Sequence, residues 1–171
     1  NMCGRRFDGQ YGELPKGYDH KYVYSHLGYN LKVTEMQAAI GCAQIDKMPE
    51  FAARRRHNFE RLLAGLKGCE KQLILPAPCE NSLPSWFGCL LTCKKGTDRN
   101  QVVAYLEKHG IQTRMLFAGN LIKHPCYDQM RASGKGYRVV SDLKCTDQIM
   151  HDTFWVGVYP GMTDEMIDYM A

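Results

Sequence analysis

The sequence predicts an α/β protein: a helical neck followed by a small α/β unit of at least three strands covered by helices. Three observations carry this. Between Thr34 and Gly68 apolar residues recur at helical spacing in two consecutive stretches. Beyond Leu73 they gather instead into short runs set apart by prolines, glycines and further helical segments. Finally, 171 residues with 44% hydrophobic and 23% charged side chains suit one globular domain or a compact piece of a larger one. A chain of that size can build a core without metal or disulfide staples, so disordered, fibrous and collagen-like proteins are excluded.

Residues 1–30 read as loop, rich in glycine and charge but dense in aromatic and polar groups such as Tyr11, Tyr18, His20, Tyr24, His26 and Tyr29. Such a segment either packs on something or lines a site. Its first residue is Asn1 rather than Met, which suggests that residues upstream are missing. Thr34-Glu35-Met36-Gln37 has the form of a capping box, and Met36, Ala39, Ile40 and Ala43 then carry a helix to about Met48. Pro49 can open a second helix on which Phe51, Phe59, Leu62, Leu63 and Leu66 largely share a face, with Gly68 as its stop.

Strands follow at 73–75 and 86–92. Thr97 or Asp98 caps a helix through His109 with Val102, Val103 and Leu106 on its core side, and Gly110 ends it before a strand at 111–117. A helix at 142–150, a strand at 154–159 and a last helix capped by Thr163 complete the order.

The net charge of +4, from 22 Lys and Arg against 18 Asp and Glu, contains one dense run, Arg54-Arg55-Arg56, which reads as a solvated helix face. No basic stripe or binding motif points to nucleic acid. No apolar run approaches the roughly 20 residues that cross a bilayer, and no signal-peptide core follows the start, so neither membrane insertion nor secretion is expected. Eight cysteines contain no C-x-x-C pair, and several, such as Cys42 and Cys89, sit among apolar neighbours. That usage fits a reduced, cytoplasmic protein better than a zinc or disulfide scaffold.

No phosphate loop, dinucleotide fingerprint, nucleophile elbow or zinc-helix motif is present. Candidate chemistry therefore lies in turns beside buried elements. In Ser25-His26-Leu27-Gly28-Tyr29-Asn30 the Asn30 amide could hold a phosphate oxygen, or Asn30 and His26 could simply satisfy turn backbone. In Thr113-Arg114-Met115-Leu116-Phe117-Ala118-Gly119-Asn120 a mid-strand Arg114 must leave the sheet or find an anion, either a ligand or a structural carboxylate. Cys3 lacks an apolar setting, and Arg5 and Arg6 would favour its thiolate, although a lone exposed thiol often has no role. Lys16, Lys21 and Lys32 lack the apolar surroundings that would make a Schiff-base amine.

The stretch Gly28-Tyr29-Asn30-Leu31-Lys32-Val33-Thr34-Glu35-Met36-Gln37-Ala38-Ala39-Ile40-Gly41 resembles the G-Y-N-x-R-x-T-x-x-Q-A-A-x-G segment of the DegT/DnrJ/StrS sugar aminotransferase family. Lys32 stands where that family usually has arginine, keeping the charge but not the bidentate fork. Cys3-Gly4-Arg5-Arg6-Phe7-Asp8, Gly17-Tyr18-Asp19-His20-Lys21-Tyr22, Arg114-Met115-Leu116-Phe117-Ala118-Gly119-Asn120 and Thr153-Phe154-Trp155-Val156-Gly157-Val158-Tyr159-Pro160-Gly161 resemble its branch of CDP-4-keto-6-deoxyglucose 3-dehydratases.

The resemblance implies the C-terminal part of a fold-type I, aspartate-aminotransferase-like enzyme. Residues 1–48 would be the end of the large cofactor-binding domain and 49–171 the small C-terminal α/β domain. It implies pyridoxamine 5'-phosphate (or pyridoxal phosphate, PLP) as cofactor, and a 2Fe-2S cluster in the complete enzyme. The main catalytic residue, a histidine in place of the usual lysine, would lie upstream of Asn1. By the same resemblance Cys3 is the last of four cluster cysteines, and Asn30 reaches the cofactor phosphate of the neighbouring subunit in a homodimer. His26, Arg114 and Asn120 would lie on the side of the nucleotide-linked ketosugar. An iron-sulfur flavin reductase using NADH would deliver electrons, and the product would enter 3,6-dideoxyhexose synthesis for lipopolysaccharide O-antigen. The alternatives are a PLP-dependent nucleotide-sugar aminotransferase of the same fold, which needs an upstream lysine and no cluster cysteines, and a non-catalytic oligomerisation fragment.

Overall fold

The computed structural model describes residues 12–15, 19, 22–24, 27–29 and 31–171. The chain divides into two units, Asn1–Gln44 and Ile45–Ala171. Most of helix α1 (Glu35–Ile45) belongs to the first. Its capping box forms: the Thr34 N–H donates to Gln37 Oε1 at 2.9 Å and the Gln37 N–H to Thr34 Oγ1 at 3.4 Å. No residue of α1 is buried, and Met36 and Ile40 are 79% and 65% exposed. The helical spacing of its apolar residues thus marks no buried stripe, because alanine, isoleucine, glycine and cysteine occupy its whole circumference.

The second unit is a four-stranded sheet with helices. Helix α2 (Met48–Leu66) starts with Pro49 in its first turn and buries Asn58, Phe59, Leu62 and Leu66. Strand β1 (Leu73–Ile74) follows a short 3-10 turn, and strand β2 (Gly88–Cys93) alternates half-buried and buried positions. Helix α3 (Arg99–Lys108) is capped by Asp98, whose carboxylate accepts from the N–H groups of Asn100 and Gln101. Strand β3 (Thr113–Met115) is shorter than the seven residues the sequence suggests. The chain leaves the ladder after Met115 and turns at Phe117, whose φ of 47° lies in the left-handed region.

Two 3-10 turns and helix α4 (Asp128–Ser133) fill a segment that the apolar pattern leaves blank. Helix α5 (Lys144–Asp152), strand β4 (Thr153–Gly157) and helix α6 (Asp164–Met170), capped by Thr163, complete the unit.

The strand order is β1-β2-β4-β3, every neighbouring pair antiparallel. Strands β2 and β3 are consequently parallel to each other, joined through α3, with β4 inserted between them as in a split βαβ unit. Cys89, Leu91, Cys93, Phe154 and Val156 point to one face, where Phe59, Leu62, Leu66 and Ile167 close the core. Trp155, Leu90 and Arg114 point to the other.

The arginine run is not a solvated face. Arg54, Arg55 and Arg56 are half-buried: where α6 lies against α2, Arg54 Nη2 bonds Asp164 Oδ1 at 2.7 Å and the Met162 carbonyl at 3.0 Å, while Arg55 Nη1 donates to Ser85 Oγ at 3.4 Å. Arg61 adds a two-pronged pair with Asp168 at 2.6 and 2.7 Å. Among the described residues, no helix is long and apolar enough to cross a membrane.

Candidate functional site

Arg114 sits in the middle of the edge strand β3, opposite Trp155 of β4. A three-residue edge strand is weakly held by its ladder alone, and two side chains reinforce it. On the N-terminal side, Glu107 Oε1 accepts from the Thr113 N–H at 2.6 Å and from Thr113 Oγ1 at 2.7 Å. These bonds hold the Glu107 carboxyl below the ordinary carboxylate range. On the C-terminal side, the Trp155 Nε1–H donates to the Met115 carbonyl at 3.2 Å.

Among the described residues Arg114 forms no ion pair. Its Nη1 reaches the Thr113 carbonyl at 3.4 Å, and the Gln112 amide, oriented with its oxygen toward the guanidinium, accepts from Nη2 at 3.0 Å and Nη1 at 3.1 Å. The arginine is permanently charged and exposed. It opens onto a cleft of about 690 Å³ whose walls include Gln112, Trp155, Tyr159, Glu165 and Tyr169. A second, mainly apolar groove of about 480 Å³ lies on the other side of Trp155, between Phe87, Leu90 and Phe117. The indole thus forms a wall common to both. It lies flat over β2 because residue 88 is glycine, and its edge meets the Phe87 ring at 90° and 5.3 Å.

Asn120 lines neither cleft. It is 2% exposed, and its Nδ2 donates to Asp147 Oδ1 at 2.7 Å, where Lys123 Nζ also arrives at 2.7 Å. These two partners hold the Asp147 carboxyl below its ordinary value. Together with the His124 Nε2 contact to the Ala118 carbonyl at 2.6 Å, they tie the segment after β3 down onto α5.

Cys3, His26 and Asn30 lie outside the described residues. Among the described residues, no three His, Cys, Asp or Glu side chains form a group that could hold a metal. Cys89 and Cys93 are core residues, and burial pushes the Cys89 thiol up to about 12.

Glu107, Gln112 and Trp155 are the members of this site that sequence reasoning missed. The one signal for Glu107 was an acid in the last turn of α3, where the helix dipole disfavours negative charge.

Comparison with known proteins places the chain in a family. The chain is 51% identical over 173 residues to the lipopolysaccharide biosynthesis protein RfbH of Salmonella typhimurium, covering all of this chain and 38% of that one. It is 47% identical to the dTDP-4-dehydro-2,6-dideoxy-D-glucose 3-dehydratase of Saccharopolyspora spinosa, covering 36% of it. The chain thus spans less than half the length of these relatives. A crystal structure of GDP-4-keto-6-deoxymannose-3-dehydratase with a trapped PLP-glutamate geminal diamine superposes with a TM-score of 0.76 at 28% identity, over 96% of this chain and 40% of that one. Its likeness shows the expected fold-type I class, of which this chain holds a part. The model of the DegT/DnrJ/EryC1/StrS aminotransferase family matches residues 10–171, and the chain belongs to that family.

Proposed function

We propose that the chain is the C-terminal part of a pyridoxamine-phosphate and iron-sulfur dependent 3-dehydratase. The parent enzyme removes the C3 hydroxyl of a CDP-4-keto-6-deoxyhexose on the way to 3,6-dideoxyhexoses of lipopolysaccharide. The observation that carries this reading is Arg114: an ionised guanidinium that forms no ion pair among the described residues, facing a cleft whose walls include Trp155, Tyr159, Tyr169 and Glu165. A cation beside planar apolar surface suits a nucleotide-linked sugar, whose phosphates take the charge and whose base takes the aromatic wall. Relatives named as 3-dehydratases of dTDP- and GDP-linked sugars support the dehydratase class and a nucleotide-linked substrate.

In this reading residues 1–48 close the large domain and 49–171 form the small one. Asn30 reaches the cofactor phosphate of the second subunit of a homodimer, and His26 stands on the sugar side. Asn120 serves that side through the loop it binds to Asp147. The cofactor supplies the electron sink for loss of the hydroxyl. A 2Fe-2S cluster needs four thiolates, and the described residues do not fit it; Cys3 would be one ligand, the others belonging to the rest of the parent protein. An iron-sulfur flavin reductase fed by NADH would supply electrons, and the parent enzyme would be cytoplasmic.

The test is the visible spectrum of the full-length parent protein, purified without oxygen, with identification of the cofactor released on denaturation. Sulfur-to-iron bands together with pyridoxamine phosphate are expected. A borohydride-trappable lysine adduct without such bands would instead make the parent a PLP-dependent aminotransferase and Cys3 an ordinary thiol.

A further inference from the structure

The structure assigns Glu107 as the positioning residue for Arg114: by accepting both the N–H and the hydroxyl of Thr113, its carboxylate fixes the edge of the sheet from which the next residue's guanidinium enters the cleft. The inference rests on the substrate role proposed for Arg114. Thr113 is 5% exposed, so its hydroxyl must find an acceptor within the protein. Its N–H faces away from β4, where an edge strand has no ladder partner, and Glu107 Oε1 takes the place of the missing strand.

The acid occupies the last turn of α3, where the helix dipole opposes its charge, and the chain reverses through Gly110, at φ 78°, to bring Thr113 back onto it. The Thr113 and Trp155 anchors bracket Arg114 by one residue on each side, leaving its side chain as the part of the strand free to meet a ligand. Attraction to Arg114 also favours the ionised carboxylate. Glu107 itself lies outside the walls of the cleft, so it acts through Arg114.

A double-mutant cycle on the full-length parent protein tests this, with calorimetric binding of CDP, dTDP and GDP and the tightest of the three followed through the series. Arg114→Ala is expected to weaken binding about tenfold or more, the scale of one charge-assisted bond lost from a phosphate. Glu107→Ala should weaken it several-fold, while Glu107→Gln, whose amide oxygen can still accept from Thr113, stays within about twofold of the unaltered protein. In the Arg114→Ala background, Glu107→Ala should add nothing.

A Glu107→Ala loss that persists undiminished without Arg114, unchanged binding in Glu107→Ala, or an equal loss in Glu107→Gln each overturns the positioning role while leaving Arg114 in place. If Arg114→Ala binds normally, or the unaltered protein binds none of the three nucleotides, the Arg114 reading falls and Glu107 with it.

Discussion

At Gly88 the lack of a side chain decides where Trp155 lies. A Cβ there would meet the indole Cε3 at 2.5 Å and Cζ3 at 3.0 Å, and the ring cannot retreat without breaking its Nε1 bond to the Met115 carbonyl. Since Trp155 walls both clefts, one methyl group on β2 would be felt on β3, two strands away. Gly88→Ala should therefore cost about 1–3 kcal/mol of stability as an overpacking change. It should also shift the tryptophan emission, to which only Trp86 and Trp155 contribute. Urea titration with fluorescence detection checks both, and an unaltered spectrum at unaltered stability would show that the ring is not held as described.

At the scale of elements, caps and the apolar face of α2 are legible because their physics is local, whereas the same spacing on α1 marks no buried face. Asp98 and Thr163 cap where their side chains precede a helical pattern, and Phe59, Leu62 and Leu66 share the buried face that their spacing gives. What escaped depended on partners distant in sequence. The sequence pattern overstates β3 because nothing near Phe117 marks a left-handed backbone in a bulky residue, and it leaves α4 unmarked because six residues hold too little periodicity to register. The burial of the arginine run is not legible because the partners of Arg54 and Arg55, Asp164 and Ser85, lie 110 and 30 positions away. The candidate site was legible only as Arg114, since Glu107 and Trp155 converge on it through the fold. Leu62, 1% exposed at the centre of the α2 face, sets the energy scale of that packing. Leu62→Ala should destabilise the protein by about 2–5 kcal/mol, seen as a lower urea midpoint with the slope retained. A loss under about 1 kcal/mol would mean that the core collapses around the gap.

Across the whole second unit, the sheet and its helices are tied together by carboxylates rather than by disulfides. Asp164 joins α6 to α2 through His57, Arg54 and Arg61, while Asp168 takes the fork of Arg61. Asp147 gathers Asn120 and Lys123 onto α5, and Glu107 fastens β3 to α3. All four carboxyls are held below their ordinary values: Asp164 first by the His57 hydrogen bond, Asp168 by Arg61, Asp147 by Lys123, and Glu107 by Thr113. A depressed value in the folded state means that unfolding takes up protons in acid. The stabilisation is complete above the ordinary values, 3.8 for aspartate and 4.5 for glutamate, and drains away as pH falls through the lower folded values. These four groups should thus leave the urea midpoint level from about pH 7 to pH 5 and lower it progressively below about pH 4.5. Arg61→Ala, which releases Asp168 and loosens Asp164, should make the acid limb shallower, and added salt should do the same because these pairs are solvent-exposed. A midpoint that stays flat into acid would show that the four carboxylates are ionised no more readily in the folded chain than in the unfolded one, and an acid limb equally steep in Arg61→Ala would show that Arg61 does not hold Asp168 and Asp164 down.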